Sequence, residues 1–430
     1  MADRRPHVVI VGGGFGGLYA ARELARMPVR VTLVDRTNHH LFQPLLYQAA
    51  TATLAPTDIT APIRYLLRDA SNTTVLMAEV NSIDPVARQV RCDDGATMLD
   101  YDYLILAAGA RHSYFGHPEW ESAAPGLKSI DDAIVIRQRF LSAFERAEKS
   151  GSAKERDAWL TFVIVGGGPT GVELAGMFPT IARRTFERDF RHIDASSARV
   201  ILVEGGPRIL PSFNDVLASR AHRDLEELGV EIRTSTIVTG IEKGWVTIGD
   251  ERIATGTIIW AAGNVASPLG ASLGVPLDRA GRVIVNEDLS VPGHPEIFVV
   301  GDQAAIPAPP GQPVPGVAPA AMQGGPHAAK NVRRRIERLP TRPFRYVNKG
   351  DMATIGRHRA IARVAGVNLV GIPAWFFWLF LHILYLAGFR NRLSVLVEWG
   401  YAFLTYQRGA RMITAPRGSP EGARTPIGPW

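Results

Sequence analysis

The sequence predicts an α/β protein of two Rossmann-type dinucleotide-binding domains followed by a helical C-terminal region. Three observations carry this. Two glycine loops, at 12–17 and 166–171, each stand between an apolar strand and an apolar-periodic helix. A second signature follows each loop at the same interval. Residues 371–389 then form a nearly uncharged, aromatic-rich block.

The first loop opens on the strand of residues 7–11 and reads Gly12-Gly13-Gly14-Phe15-Gly16-Gly17 before the helix of residues 18–24. Gly12 permits the tight turn, Gly14 lets backbone approach a pyrophosphate, and Gly17 lets helix and strand pack closely. The helix N-terminus faces the phosphate charge. The next strand, 29–34, ends in Asp35, 23 residues after Gly12 and placed to accept hydrogen bonds from ribose hydroxyls.

In the second loop Gly166, Gly168 and Gly171 repeat the three roles, and the strand of residues 200–203 ends in Glu204. An acid at the ribose repels a 2′-phosphate, which favours NADH over NADPH, although Arg208 is close in sequence. The later signature runs from Tyr103 to Ala107, Ala108 and Gly109 in the first half. In the second it runs from Thr257 to Ala261, Ala262 and Gly263. Gly109 follows Gly12 by 97 residues, and Gly263 follows Gly166 by the same 97, as a duplicated fold would require. A third strand ends in Gly301-Asp302. Its carboxylate suits the ribityl chain of a flavin and assigns FAD to the first loop; the plainer alternative is a turn that caps the next helix.

At 430 residues the chain is too long for one ordinary core. The expected division is an FAD-binding domain at 1–120 resumed at 276–340, an NADH-binding domain at 121–275, a membrane-association region at 341–413 and a disordered tail at 414–430. Lys and Arg outnumber Asp and Glu by 48 to 41, a basic balance that suits anionic cofactors or lipid. Cys92 is the only cysteine, which excludes disulfide reductases and sulfide oxidisers that work through a cysteine pair. No apolar signal region precedes the first strand, so a cytoplasmic body is expected.

The segment from Phe42 to Ala50 (FQPLLYQAA), the loop 168–173 and the apolar C-terminal block resemble the type II NADH dehydrogenases. These are single-subunit, non-proton-pumping NADH:quinone oxidoreductases of glutathione-reductase-like flavoprotein architecture. The resemblance runs from about residue 8 to about 413. It implies FAD held around Gly12, Gly13, Gly14, Phe15, Gly16, Gly17, Asp35, Arg36, Val80 (whose backbone meets the adenine), Ala108, Gly109, Gly301 and Asp302. It implies NADH held at Gly166, Gly168, Gly171, Glu204, Ala262 and Gly263, with Glu173 as the acid beside the nicotinamide. Glu173 has a plainer reading as an acid favouring a helix N-terminus. The family's AQxAxQxG stretch bordering the quinone aligns with Ala318, Ala321, Gln323 and Gly325, but Pro319 replaces its first Gln. Proline offers neither a side-chain amide nor an N–H, which leaves quinone positioning to Gln323. The resemblance implies a membrane quinone, ubiquinone or menaquinone, as the acceptor, and a homodimer is common in the family.

The block at 371–389 carries one ionisable residue, His382, and the segment at 393–406 is amphipathic, closed by Arg408 and Arg411. A buried core helix, a single span and an interfacial helix pair all fit such a block. The resemblance implies the last, a monotopic attachment to anionic phospholipid on the cytoplasmic face of the cell membrane. Trp375, Trp378, Tyr385, Trp399 and Tyr401 suit a water–lipid interface. The Pro-rich stretch 307–315 reads as a surface loop. The basic run 330–338 reads as a solvated helix face without nucleic acid, and His39 and His40 as packed or solvated side chains. Two rival functions share the glycine loops: a reductase of ferredoxin or rubredoxin, and a low-turnover NADH-sensing membrane flavoprotein.

Overall fold

The computed structural model describes residues 5–308, 314–405 and 410–413. The tail at 414–430, Arg408 and the centre of the Pro-rich stretch lie outside the described residues. The chain forms two compact units. The first comprises Met1–Leu41, Thr60–Arg111 and Asn264–Asn348; the second comprises Phe42–Ile59, His112–Gly263 and Lys349–Trp430. The chain therefore changes unit near 112, 264 and 349, and residues 42–59 belong to the second unit. Local pattern does not reveal the last point, because a short apolar helix packs equally well in either core.

The first unit is built on a six-stranded sheet in the order Ser290–Val291, His294–Val299, Tyr103–Leu106, His7–Val11, Arg30–Asp35, Thr73–Met77. Its central strands are parallel and covered on both faces, so His7–Val11 is buried throughout instead of alternating. Helices Phe15–Leu24 and Ala318–Ile336 cross where glycines meet: a Cβ on Gly325 would run into the carbonyl of Gly16. Cys92 is buried in a three-stranded antiparallel sheet of Val80–Asp84, Gln89–Cys92 and Thr97–Asp100.

The second unit repeats the plan with four parallel strands, in the order Val230–Arg233, Arg199–Val203, Thr161–Val165, Thr257–Trp260. The equal spacing seen in the sequence is a matter of register. Val11 stands opposite Val34 and Leu106 in one sheet, and Val165 opposite Val203 and Trp260 in the other. One face is filled by Phe140, Phe144, Phe162 and Phe178, with Phe140 and Phe178 stacked at 4.2 Å.

The C-terminal part of this unit is an antiparallel sheet of Asp351–Thr354, Ala360–Val364 and Val367–Val370, followed by helices Ile372–Tyr385 and Phe389–Thr405. The sheet docks closely on helix Pro169–Arg184: a Cβ on Gly176 would stand 2.8 Å from the Gly356 nitrogen. Helix Ile372–Tyr385 has 14 residues, a length of about 21 Å at 1.5 Å per residue. That falls short of a hydrocarbon core of about 30 Å. No helix among the described residues is long and apolar enough to cross a membrane.

Neither is Ile372–Tyr385 a core helix. Ile372, Phe376, Phe380 and Leu384 form one stripe that is 55%, 57%, 64% and 49% exposed. The opposite face packs inward. Trp378 and Trp399, expected at a lipid interface, are buried and lie 5.3 Å apart. His382 stacks on Trp378 at 4.2 Å, with Nδ1 2.7 Å from the Trp378 carbonyl. Burial lowers its pKa to about 4, so the imidazole is neutral. Arg411, which closes the second segment in the sequence, pairs with Asp189.

Candidate functional site

In the first loop Asp35 is fixed by its own chain. Its Oδ2 accepts from Gly13 N at 2.6 Å, and its Oδ1 accepts from the backbone N and hydroxyl of Thr37, both at 2.7 Å. Gly12 has φ +102°, and a Cβ on Gly17 would meet the Gly12 carbonyl. Above Gly14 there is open space, with nothing within 4 Å of a built Cβ. No side chain caps the helix that starts at Phe15. Open approach plus uncapped N–H donors is what a pyrophosphate requires, so the loop fits a dinucleotide. Ala78 N donates to the Asp35 carbonyl at 2.9 Å, bringing the strand that opens at Val80 beside the acid. Arg36 is exposed.

His40 does more than fill space here. It is buried, its ring meets Phe15 edge-on at 5.0 Å, and Nδ1 lies 3.0 Å from the Gly13 carbonyl. A carbonyl can only accept, so Nδ1 carries the hydrogen. Burial lowers the pKa to about 4, so the ring clamps the loop without adding charge. Gln303 is a second such residue. Fully buried, it accepts from Ala108 N at 2.9 Å and donates to the Ser267 carbonyl at 3.3 Å, while Ser267 N bonds to the Gly109 carbonyl at 3.0 Å. The pattern Gly301-Asp302 pointed to this turn but not to its neighbour. Asp302 lines a cavity of about 220 Å³ with Ala110, Asn264, Arg282, Gly301 and Gly316, room for a sugar-sized piece but not a whole dinucleotide.

The second loop matches the first. Glu204 Oε2 accepts from Gly167 N and its Oε1 from Gly206 N, both at 2.7 Å. Gly166 has φ +110°, the space above Gly168 is open, and no side chain caps the helix. A Cβ on Gly171 would meet the Gly166 carbonyl. Gly263, at φ +71°, accepts from Ser113 N at 3.2 Å, next to Ala262. Arg208 spends its guanidinium on the carbonyls of Phe213 and Pro211, at 2.9 and 3.1 Å, and lies 3.5 Å from Asp215.

Glu173 is the fifth residue of helix Pro169–Arg184, beyond the first turn, where the macrodipole has faded. The capping reading therefore loses its basis. Burial raises its carboxyl well above the usual carboxylate range, opposed only by the backbone N–H of Thr354. Such a group is suited to holding a proton.

In the first unit Ala318 and Pro319 open helix Ala318–Ile336, and Pro319 stands in the first turn, where a missing N–H costs nothing. Gln323 is engaged at both ends: Nε2 donates to the Val347 carbonyl and Oε1 accepts from Val347 N, each at 3.0 Å. It fixes backbone rather than presenting an idle amide. Among the described residues no group of His, Cys, Asp and Glu could hold a metal ion.

The model of the family described as pyridine nucleotide-disulphide oxidoreductase matches residues 6–325, and that described as NDH2 C-terminal domain matches 348–406. The type II NADH:quinone oxidoreductases NdhA and Ndh of Mycobacterium tuberculosis are 46% and 44% identical to this chain. Each match spans 96% of this chain, and 90% and 91% of the relatives. The enzyme of the same name from Staphylococcus haemolyticus is 32% identical over 87% of this chain and 94% of its own. Among solved structures, NDH2 from Plasmodium falciparum in complex with NADH shares the fold. Its TM-score is 0.87 at 22% identity, over 95% of this chain and 100% of that one. With two dinucleotide loops, a lone buried cysteine in place of a redox pair and a matching C-terminal domain, this chain belongs to the type II NADH:quinone oxidoreductases.

Proposed function

We propose that the chain oxidises NADH and reduces a membrane quinone, consuming one NADH and one proton per quinol and moving no proton across the membrane. When bound, FAD supplies the two-electron carrier between hydride donor and quinone. The first unit holds it: the loop from Gly12 to Gly17 and the helix N-terminus at Phe15 take the pyrophosphate, and Asp35 the ribose. Arg36 and Val80 border the adenine, while Ala108, Gly109, Gly301 and Asp302 take the flavin side. The second unit holds NADH through Gly166, Gly168, Gly171, Glu204, Ala262 and Gly263. Glu173 holds a proton beside the nicotinamide. Ala318, Pro319 and Gln323 form a quinone wall, to which Gln323 contributes by fixing Val347.

The observation that carries the acceptor is the apolar stripe Ile372, Phe376, Phe380 and Leu384, exposed on helix Ile372–Tyr385. Exposed apolar surface of this kind suits lipid, and the exposed Arg390 at the start of the next helix suits anionic head groups. The protein thus lies on the cytoplasmic face of the membrane as a peripheral enzyme, with a homodimer as its assembly. A reductase of a soluble iron–sulfur protein has no use for such a surface. The test is steady-state NADH oxidation by the FAD-loaded protein on vesicles. Turnover with ubiquinone or menaquinone analogues is expected. Turnover only with a ferredoxin or rubredoxin, or only a few turnovers with any acceptor, would overturn the proposal.

A further inference from the structure

The helix Leu46–Ala50 buries two polar side chains, Tyr47 and Gln48, in an otherwise apolar setting. Unpaired, such groups are costly, and their partners form one continuous chain. The Trp399 indole N–H, which can only donate, lies 2.7 Å from Gln48 Oε1. That fixes the orientation of the amide: Gln48 Nε2 donates to the Tyr47 hydroxyl at 2.9 Å. The Tyr47 oxygen thus accepts, and its own hydrogen is available to Thr354 Oγ1, also at 2.9 Å. The backbone N–H of the same Thr354 meets the Glu173 carboxyl.

The indole at the far end orients the amide of Gln48 and the hydroxyl of Tyr47, while the last link, the Thr354 N–H, is held by the main chain. The links join residues 307 and 351 positions apart in sequence, and Tyr47, Gln48, Thr354 and Trp399 are all buried. Trp378, 6.5 Å from the Tyr47 ring and 5.3 Å from Trp399, packs against both. The close approach of Gly176 to Gly356 holds the strand that carries Thr354 against the helix that carries Glu173.

We propose that Tyr47, Gln48 and Thr354 are positioning residues for Glu173, and that through Trp399 they tie this acid to the C-terminal helix Phe389–Thr405. The inference rests on the reading of Glu173 as the acid of the nicotinamide site. Because buried hydrogen-bonded chains act as a unit, loss of the Trp399 contact is felt at Glu173.

A double-mutant cycle on the FAD-loaded, full-length enzyme tests this. Tyr47→Phe removes one hydroxyl and keeps the ring; Trp399→Phe breaks the far end. Each is made in the wild-type and the Glu173→Gln background. The readouts are kcat and KM for NADH with a soluble quinone analogue, together with FAD content. The expected result is a loss in kcat of about tenfold for Tyr47→Phe, the size of one buried hydrogen bond. Trp399→Phe should show a smaller loss. Both should leave KM and FAD content unchanged, and both losses should vanish in the Glu173→Gln background. Should Tyr47→Phe fail to fold, Trp399→Phe carries the same cycle. An impaired Glu173→Gln together with wild-type kinetics for both variants, or with losses that simply multiply, overturns the coupling while leaving the role of Glu173 intact. Wild-type kinetics for Glu173→Gln itself overturns both.

Discussion

Replacing Glu204 by glutamine isolates the contribution of the acid proposed for the second ribose. The carboxylate accepts two backbone N–H bonds, from Gly167 and Gly206, each at 2.7 Å. A carboxylate offers about four lone-pair sites, so about two remain for the vicinal hydroxyls of a ribose. Glutamine puts an NH2 group where one oxygen stood, so one loop amide then faces a donor. The NH2 group cannot accept, so on binding one charge-assisted hydrogen bond to the ribose is also lost, about 1.5–3 kcal/mol. At 1.4 kcal/mol per decade this corresponds to a rise of roughly 10- to 100-fold in KM for NADH. NADPH should lose less, because the amide no longer repels its 2′-phosphate, so the NADH/NADPH ratio of kcat/KM falls. FAD content should not change, since Asp35 holds its own loop through Gly13 and Thr37. Steady-state kinetics with both nucleotides and a soluble quinone analogue measure the effect. An unchanged KM with an unchanged nucleotide ratio would refute the assignment of Glu204 to the ribose, and loss of FAD would refute the assignment of the second loop to NADH.

Two further outcomes are expected. Because burial raises the Glu173 carboxyl, the folded state keeps a proton that the unfolded chain releases. Wild-type stability therefore falls as pH rises from the ordinary carboxyl range to the raised value, by up to about 1.4 kcal/mol per pH unit. Glu173→Gln should match wild type near pH 4 and exceed it increasingly as pH rises; parallel unfolding midpoints across that range would show that the carboxyl is not buried as described. The double substitution Phe376→Glu and Phe380→Glu, on side chains 57% and 64% exposed, should change stability by no more than about 0.5 kcal/mol per site. It should release the protein from anionic phospholipid vesicles in co-sedimentation, and undiminished binding would remove the stripe from the membrane contact.

Much of the dinucleotide architecture was legible because it is local: strand, glycine turn, helix and acid lie within about 40 residues in each half. The 97-residue repeat was readable for a related reason, since equal spacing is what equal sheet register requires. What escaped depends on long-range partners. His40 looked like a packed or solvated side chain, and only its Nδ1 contact with the Gly13 carbonyl reveals a clamp. Gln303 is hidden beside the conspicuous Asp302, and its two bonds reach Ala108 and Ser267. For Gln323 the family motif suggested an amide facing the quinone, whereas the fold engages both of its polar atoms on Val347. Of the aromatic residues in the C-terminal block, composition could not separate those that pack inward, Trp378 and Trp399, from those that remain exposed, Phe376 and Phe380. Hydropathy gives the amount of apolar surface; helix phase and tertiary partners decide its direction.

That division of the C-terminal helices bears on the choice of electron acceptor. A helix pair serving only to complete a soluble core would turn its apolar side chains inward and leave polar ones outside. Here the inner face holds the groups that need partners: the Trp399 indole on Gln48, the neutral His382 on the Trp378 carbonyl, and Ser394 donating to Asp58 at 2.8 Å. The outer face keeps phenylalanine, leucine and isoleucine. Polar groups satisfied within and hydrocarbon left without suit a surface that meets lipid. The inner face is also where the path from Trp399 to Glu173 begins. Trp399 and Glu173 thus lie at opposite ends of one path within a single unit, and under the proposed function that path joins a helix of the C-terminal pair to the acid proposed for the nicotinamide site.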